Sequence, residues 1–223
     1  MIVPSPQEYY GKLLEKHGVG PAAVDVTEAG QRQRFGVLLR AIGDTRNCRL
    51  LDVGCGYGAF AEFLFEQNNR LVDYHGVDVS PPMIRAAVER FEKTEPSKRL
   101  RHLKFEVRNI LEAPIGQTYE CVVASGLFQL HHGLWHAERL IKALWDHTEG
   151  VLAFNMLSRH APPPHTNGEL YADPERILNI CQRLTPLVDV LHGYRCNDFT
   201  MVLYRGPDEP QTSFIAAAEL AAA

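Results

Sequence analysis

One stretch constrains the fold of this chain more than any other: residues 50–60, which read LLDVGCGYGAF. An apolar run with the character of a strand leads into glycines at alternate positions, Gly54, Gly56 and Gly58, and then into a helical pattern. Glycine permits a tight turn and leaves room for the backbone to approach a ligand closely. The stretch therefore predicts a strand–loop–helix unit that binds a nucleotide-like ligand.

Short apolar runs alternate with amphipathic stretches from residue 49 onward, which is typical of an α/β fold with a mostly parallel sheet. The predicted strands are residues 49–53, 74–79, 103–107, 120–124, 151–155, 188–192 and 199–204. The predicted helices between them are residues 60–67, 82–93, 135–147 and 174–183. Only a turn-length segment separates the last two strands, so we expect them to form an antiparallel hairpin.

Two helices are predicted ahead of the first strand. Ser5 and Glu8 have the spacing of a capping box, and the helix that they begin would end at Gly18. A second helix is predicted at 28–42, where apolar residues recur at spacings of three and four.

The length of 223 residues suits one sizeable domain. We expect that domain to span residues 1–205, with the N-terminal helices in 1–46 and the α/β core in 47–205. The proline-rich segment 158–171 is predicted to be a loop, and 206–223 a flexible tail.

Two cofactors compete for the glycine-rich stretch. Gly54, Gly56 and Ala59 fit the G-x-G-x-x-A fingerprint of dinucleotide binding, and Asp78 follows at about the expected ~20 residues. However, the Asp52 carboxylate at the end of the first strand would repel a pyrophosphate. S-adenosylmethionine has no phosphate and carries an ammonium and a sulfonium, so a carboxylate is favourable for it. Asp52 therefore favours the methyl donor over NAD.

Four segments, each after one of the first four predicted strands, carry a family resemblance. They are DVGCGYG, GVDVSPPMI, VRNIL and YECVVASGLFQL. In this order and spacing they resemble the class I S-adenosylmethionine-dependent methyltransferases, over roughly residues 49–204. The resemblance implies a Rossmann-like three-layer α/β sandwich, with a seven-stranded mostly parallel sheet, a C-terminal antiparallel hairpin and N-terminal helices.

The resemblance also implies a donor site. Asp52, Gly54 and Gly56 would lie near the methionine moiety, and Asp78 would bind both ribose hydroxyls. The remaining implied donor-site residues are Cys55, Val79, Met83, Asn109, Ile110, Ala124 and Ser125. Asn109 stands where many members have aspartate, and its side-chain oxygen can still accept a hydrogen bond from the adenine amino group.

Catalytic candidates follow the fourth strand. His131 and His132 would face the donor in this architecture, and a neutral imidazole could take a proton from the acceptor. Alternatively, the pair simply begins the helix that contains His136, or lies on the surface. A zinc site at His132 and His136 would need a third ligand that the sequence does not supply, so no metal is predicted.

Two N-terminal residues are further donor-site candidates. Tyr10 lies on a helix that could fold over the cofactor, although packing on the sheet would explain it equally. Arg34 lies beside the apolar side of the second helix and could pair bidentately with the methionine carboxylate. The alternative for Arg34 is a solvated surface position.

The composition of the chain indicates which class of molecule the methyl acceptor belongs to. The net charge of -4 gives no basic field for nucleic acid, and a cluster of aromatic residues could line an apolar pocket. We therefore expect a small-molecule acceptor methylated at oxygen or nitrogen, no nucleic acid, no membrane, and a cytoplasmic protein. The five cysteines have no disulfide or zinc spacing and are read as buried free thiols.

Three alternatives stay open at this point. The acceptor could be tRNA or protein, with the basic segment 98–108 meeting phosphates. The chain could be a non-catalytic S-adenosylmethionine-binding module, or an NAD oxidoreductase.

Overall fold

The computed structural model describes residues 5–24, 26–45, 47–67, 73–92, 102–130, 133–165 and 168–206. The helices are α1 Pro6–His17, α2 Glu28–Ile42, α3 Ala59–Glu66, α4 Pro81–Glu92, α5 Leu134–Asp146 and α6 Pro174–Gln182, with a short 3-10 helix at Pro21–Val24. The strands are β1 Arg49–Val53, β2 Asp73–Asp78, β3 His102–Val107, β4 Tyr119–Ala124, β5 Thr148–Ser158, β6 Tyr171–Ala172, β7 Val188–Leu191 and β8 Asp198–Tyr204.

The strands form one sheet in the order β3-β2-β1-β4-β5-β8-β7, and β6 pairs with β5. Strands β1 to β5 are parallel, whereas β8 is antiparallel to both β5 and β7. The predicted hairpin and the Rossmann-like architecture are confirmed. Strands β2 and β3 add to one side of β1, whereas β4 and β5 add to its other side, so the strand order switches between β1 and β4. Ligands of open α/β sheets bind at the carboxyl ends of the strands beside such a switch.

Two apolar layers cover the sheet, which makes the fold a three-layer sandwich. On one face, α5 and α6 pack on the strands, and on the other face α2 and α3 do so. Side chains along β4 alternate between the layers: Val122 and Ala124 join the first, and Cys121 and Val123 the second. This alternation places β1 and β4 at the centre of the core.

The N-terminal helices have different environments. The capping box at Ser5 is present, because its hydroxyl accepts from the Glu8 amide and Glu8 accepts from the Ser5 amide. Helix α1 has no buried residue and packs against the 3-10 helix and α4. Helix α2 is instead embedded in the core, so α1 can cover a site without supporting the sheet.

The structure departs from the sequence prediction in three places. Strand β6 lies at the end of the segment predicted to be a loop, and β5 is longer than predicted because it pairs with β8 from Val151 to Leu157. Cys196 is exposed, whereas the other four cysteines are buried free thiols as expected. The predicted tail from 207 onward lies outside the described residues. None of the helices that the structure describes is long and apolar enough to span a membrane.

Candidate active site

A cavity opens at the carboxyl ends of β1, β2 and β4, beside the switch in strand order. Its wall contains every donor-site residue predicted from the sequence except one: Tyr10, Arg34, Asp52, Gly54, Cys55, Gly56, Asp78, Val79, Met83, Asn109, Ile110 and Ser125. The exception is Ala124, whose fully buried side chain packs in the layer under α5. The alternation along β4 turns its side chain away from the cavity, so the structure does not bring Ala124 together with the other candidates, and its place beside the methionine end stays a prediction.

The glycine-rich loop adopts backbone conformations that suit glycine. The φ angles of Gly54, Gly56 and Gly58 are 77°, 53° and 79°, all in the left-handed region. The amides of Gly54 and Cys55 donate to the Val77 carbonyl oxygen at 2.8 and 3.1 Å, which fastens the loop to the end of β2. The bare backbone of the loop thereby forms part of the cavity wall.

Asp78, the last residue of β2, fixes the loop from the other side. Its two carboxylate oxygens accept from the amides of Gly56 at 2.9 Å and Ser80 at 2.8 Å. Burial raises the pKa of Asp78, although these amide hydrogen bonds favour the charged form and oppose the shift. The Val79 amide also favours the charged form, and the carboxylate keeps acceptor capacity for a ligand hydroxyl group.

Asp52 is a second carboxylate in the cavity wall, and it is only 2% exposed. The Tyr74 hydroxyl donates to its Oδ2. Burial raises the pKa of Asp52 from 3.8 to about 7, with Asp78 adding to the rise and the Tyr74 hydrogen bond opposing it. A cationic ligand group beside Asp52 would offset this burial cost.

Apolar side chains and one amide form the wall beyond Asp78. Val79, Met83 and Ile110 line it, and the Asn109 Oδ1 accepts from the Leu111 amide at 3.1 Å. That bond uses one of the two lone pairs of the amide oxygen. The arrangement suits a flat heterocycle with a polar edge.

Arg34 lies in the cavity wall, but its guanidinium has a protein partner. The Nε and Nη2 atoms donate to the two carboxylate oxygens of Asp198 at 2.8 and 2.9 Å, and Arg195 also pairs with Asp198. The bidentate partner expected from the sequence was a cofactor carboxylate, and in the structure it is Asp198. This pair ties α2 to the start of β8.

Of the three candidate histidines that follow β4, the structure describes one. His131 and His132 lie outside the described residues. His136 lines the cavity from α5, although its spacing in the sequence suggested only a possible metal ligand. Across the part of the chain that the structure describes, no group of three or more histidine, cysteine, aspartate or glutamate residues could hold a metal ion.

Comparisons with known proteins place this site in a family. Residues 51–153 match the model of the family described as "Methyltransferase domain". A protein of Mycobacterium tuberculosis with the provisional name methyltransferase Rv1506c is 31% identical over 160 residues, which cover 68% of this chain and 90% of that protein. The chain belongs to the class I S-adenosylmethionine-dependent methyltransferases.

Another relative is the malonyl-[acyl-carrier protein] O-methyltransferase of Acetivibrio thermocellus, 30% identical over 150 residues. The match covers 65% of this chain and 49% of that protein, so the chain spans about half the length of this relative.

Solved structures share the fold. Magnesium protoporphyrin IX methyltransferase from Synechocystis, with bound S-adenosylmethionine, superposes with a TM-score of 0.65 at 14% identity, over 92% of this chain and 93% of that chain. The N-methyltransferase NodS from Bradyrhizobium japonicum, in complex with S-adenosyl-L-homocysteine, gives 0.63 at 18% identity, over 91% and 98%. The family match and the 31% identical relative, rather than these structures, make the chain an enzyme of the methyltransferase class, and the NAD and non-catalytic alternatives are set aside.

The residues of this cavity fit S-adenosylmethionine. Asp52 is buried and Asp78 half-buried, and as ionised carboxylates they disfavour a pyrophosphate and favour a ligand that brings cations and hydroxyl groups. Gly54 and Gly56 in the loop between them carry no side chain, so the backbone there can be approached closely, and the other two lining residues of the loop are Cys55 and Tyr57. The cavity therefore suits the methyl donor on charge as well as on shape.

The first prediction concerns Asp78. Asp78→Ala removes the acceptor for the Gly56 amide and the acceptor predicted for the two ribose hydroxyls, so we expect the Kd for S-adenosylmethionine to rise at least about tenfold. Calorimetry measures this, and Asp189→Ala is the control because Asp189 is exposed on β7. Unchanged affinity in the Asp78 variant would remove this residue from the site.

The second prediction concerns pH. With a native pKa of about 7 against an ordinary 3.8, Asp52 binds its proton more tightly in the folded state. Its contribution therefore lowers the free energy of unfolding as pH rises from about 4 to 7. Binding of the cationic donor favours the ionised form, so we expect affinity about tenfold lower at pH 6 than at pH 7.5.

The variant Asp52→Asn tests both predicted pH effects, on unfolding and on donor binding. It removes the titrating group, so the variant should lose most of the pH dependence of both unfolding and donor binding. Denaturant unfolding and calorimetry at the two pH values measure this. If the wild-type protein and the variant show the same pH dependence, Asp52 does not titrate in this range.

Several wall residues were missed by sequence reasoning. Gln129 and Leu130 follow β4, Leu170 precedes β6, and Gln31 and Tyr57 meet through a 3.1 Å hydrogen bond. Asn155 supports the wall from β5, since its Oδ1 accepts from the Gly126 amide. The proximity of Gln129 to a predicted strand end was the one signal that could have found it.

Proposed function

We propose that this methyltransferase transfers the methyl group to an oxygen or nitrogen of a small molecule. The observation that carries the proposal is the covering of the cavity by α1, where Tyr10 on that helix donates to Gln129 Oε1 at 3.4 Å across the wall. Such a covered cavity favours a compact acceptor. The names of the relatives support oxygen and nitrogen as acceptor atoms, since one is an O-methyltransferase and another an N-methyltransferase.

The donor would be held by the residues that reach the wall from the strand ends. Asp78 would accept from the ribose, Val79, Met83, Asn109 and Ile110 would enclose the adenine, and Asp52 and Ser125 would face the methionine end. S-adenosylmethionine supplies a methyl group on a positively charged sulfur. The acceptor lone pair forms the new bond to carbon, and the electron pair of the broken bond stays on sulfur.

His131 or His132 would remove the acceptor proton. Leu130 and Gly133, the described residues on either side of the pair, both line the cavity. Histidine has an ordinary pKa of about 6.5, so a neutral imidazole is available at pH 7 to take a proton. An acceptor that is already deprotonated would need no base, because positioning alone can lower a barrier by roughly 7 to 11 kcal/mol.

A nucleic-acid acceptor has less support. In the described part of the basic segment, both Lys104 and Arg108 form ion pairs with Glu106. The pairing neutralises part of the charge that would meet phosphates, and the net charge of the chain is -4. We also infer a cytoplasmic location.

Radiolabelled methyl donor tests the proposal. The enzyme is incubated with S-adenosylmethionine labelled in its methyl group and, separately, with a metabolite extract, bulk tRNA or total protein. We expect label in the metabolite fraction, and none when Asp78→Ala replaces the wild-type enzyme at low donor concentration. Label confined to tRNA or protein would contradict a small-molecule acceptor.

A further inference from the structure

One side of the cavity is built without formal charge. We call it the outer wall; it comprises Pro6, Gln7, Tyr10, Gln129, Leu130, His136, Ala137, Leu140 and Leu170. Among these described residues there is no aspartate, glutamate, lysine or arginine, and most of the surface is aliphatic or aromatic. A molecule against this wall would meet apolar groups, the amides of Gln7 and Gln129, the Tyr10 hydroxyl and the His136 imidazole.

The charged lining residues belong to the rest of the cavity. Asp52 and Asp78 lie at the ends of β1 and β2, Arg108 follows β3 and is paired with Glu106, and Arg34 is paired with Asp198. The carboxylates face the part of the cavity assigned to the donor. The outer wall is therefore the part left for the acceptor.

Gln129 is the polar centre of the outer wall. It is only 8% exposed, and its Oε1 accepts from the Tyr10 hydroxyl. Its backbone is fixed as well, since its carbonyl oxygen accepts from the Leu170 amide at 2.7 Å and Leu130 forms a β-bridge with Glu169. The side chain is thus held in place by its surroundings.

The amide nitrogen of Gln129 has no hydrogen-bond partner among the described residues. This nitrogen is not fully enclosed by the protein, so it can donate to a molecule in the cavity. Because Gln129 lines the cavity, a ligand oxygen can supply the missing acceptor. This donor is the feature of the wall that would orient an acceptor molecule.

We propose that the methyl acceptor is an uncharged molecule with an apolar body, and that an oxygen atom of this molecule accepts a hydrogen bond from the Gln129 amide. The inference rests on the proposed small-molecule function. The described residues of the outer wall hold no anion, and His136 is the one group there that could become a cation. An ammonium would therefore be desolvated without an opposite charge, and a carboxylate would have at most this one partner, which makes both costly. Gln129 acts as a positioning residue that selects neutral, oxygen-bearing acceptors.

Three compounds with one skeleton test the charge preference: para-propylphenol, para-propylbenzoate and para-propylbenzylamine, which are neutral, anionic and cationic at pH 7. Calorimetry measures their binding to the full chain saturated with S-adenosylhomocysteine. We expect the phenol to bind at least about tenfold more tightly than either ion. Equal or tighter binding of an ion, or no binding of the phenol at millimolar concentration, would overturn the proposal.

A substitution tests the role of Gln129. Gln129→Met keeps the side-chain length but removes the donor, so the Kd for para-propylphenol should rise by roughly two- to tenfold. The Kd for S-adenosylhomocysteine should stay at its wild-type value, which also shows that the variant is folded. Gln182→Met, at the exposed end of α6, is the matched control.

An unchanged phenol affinity in the folded Gln129 variant would also overturn the proposal. Should Gln129→Met fail to fold, the smaller change Gln129→Asn, which withdraws the amide from the wall, replaces it with the same expected loss. No methyl transfer is needed in these measurements, so their failure is distinguishable from failure of the labelling experiment.

Discussion

Gly56→Val is expected to abolish binding of S-adenosylmethionine and leave the domain folded. The φ of Gly56 is 53°, and an L-residue in this region costs roughly 1 to 2 kcal/mol, with more for a β-branched side chain. A side chain would also project from the loop that lines the cavity, where backbone and donor approach closely. Calorimetry with the donor and circular dichroism of the variant measure the two outcomes.

The first atom of the new side chain makes no close contact with the protein itself, which is why folding should survive. A Cβ atom at Gly56 would meet only Val24 Cγ1, at an ordinary 3.6 Å. Gly43→Val is the matched control, because Gly43 has a φ of 70°, nothing within 4 Å of its Cβ position, and no place in the cavity wall. Normal donor binding by a folded Gly56 variant would show that the loop has been misassigned.

The order of elements was predictable because local signals agree with the fold. Hydrophobic spacing predicted α2 at the bounds that the structure shows, and the glycines of the loop all have the positive φ values that the motif requires. The core position of the Ala124 side chain was predictable in principle as well. Val122 and Ala124 have the same parity along β4, so a core position for one implies a core position for the other.

Contacts between residues far apart in the chain could not be predicted from the sequence. Arg34 meets Asp198, which is 164 positions away, and nothing near Arg34 distinguishes this partner from a ligand carboxylate. Gln129 reaches the outer wall because the chain after β4 pairs with residues 169 and 170. Both contacts depend on how loops meet across the strand ends, and local propensity does not encode such meetings.

The histidine pair carries the other large expected effect. If His131 or His132 is the general base, changing that residue to Asn should lower kcat on the identified acceptor by roughly 10² to 10⁴. The Kd for S-adenosylmethionine should stay near its wild-type value, because proton removal matters only in the transition state. The wild-type rate should also fall below a pKa near the ~6.5 of an ordinary imidazole.

Two further variants separate this role from its alternatives. His102→Asn, at the exposed start of β3, controls for the loss of any imidazole, and His136→Asn tests the histidine that the structure shows in the cavity wall. A fall in rate only for the His136 variant would move the base to α5. Full turnover by both the His131 and His132 variants would remove the pair from proton transfer, and catalysis would then depend on positioning of an acceptor that is deprotonated before it binds.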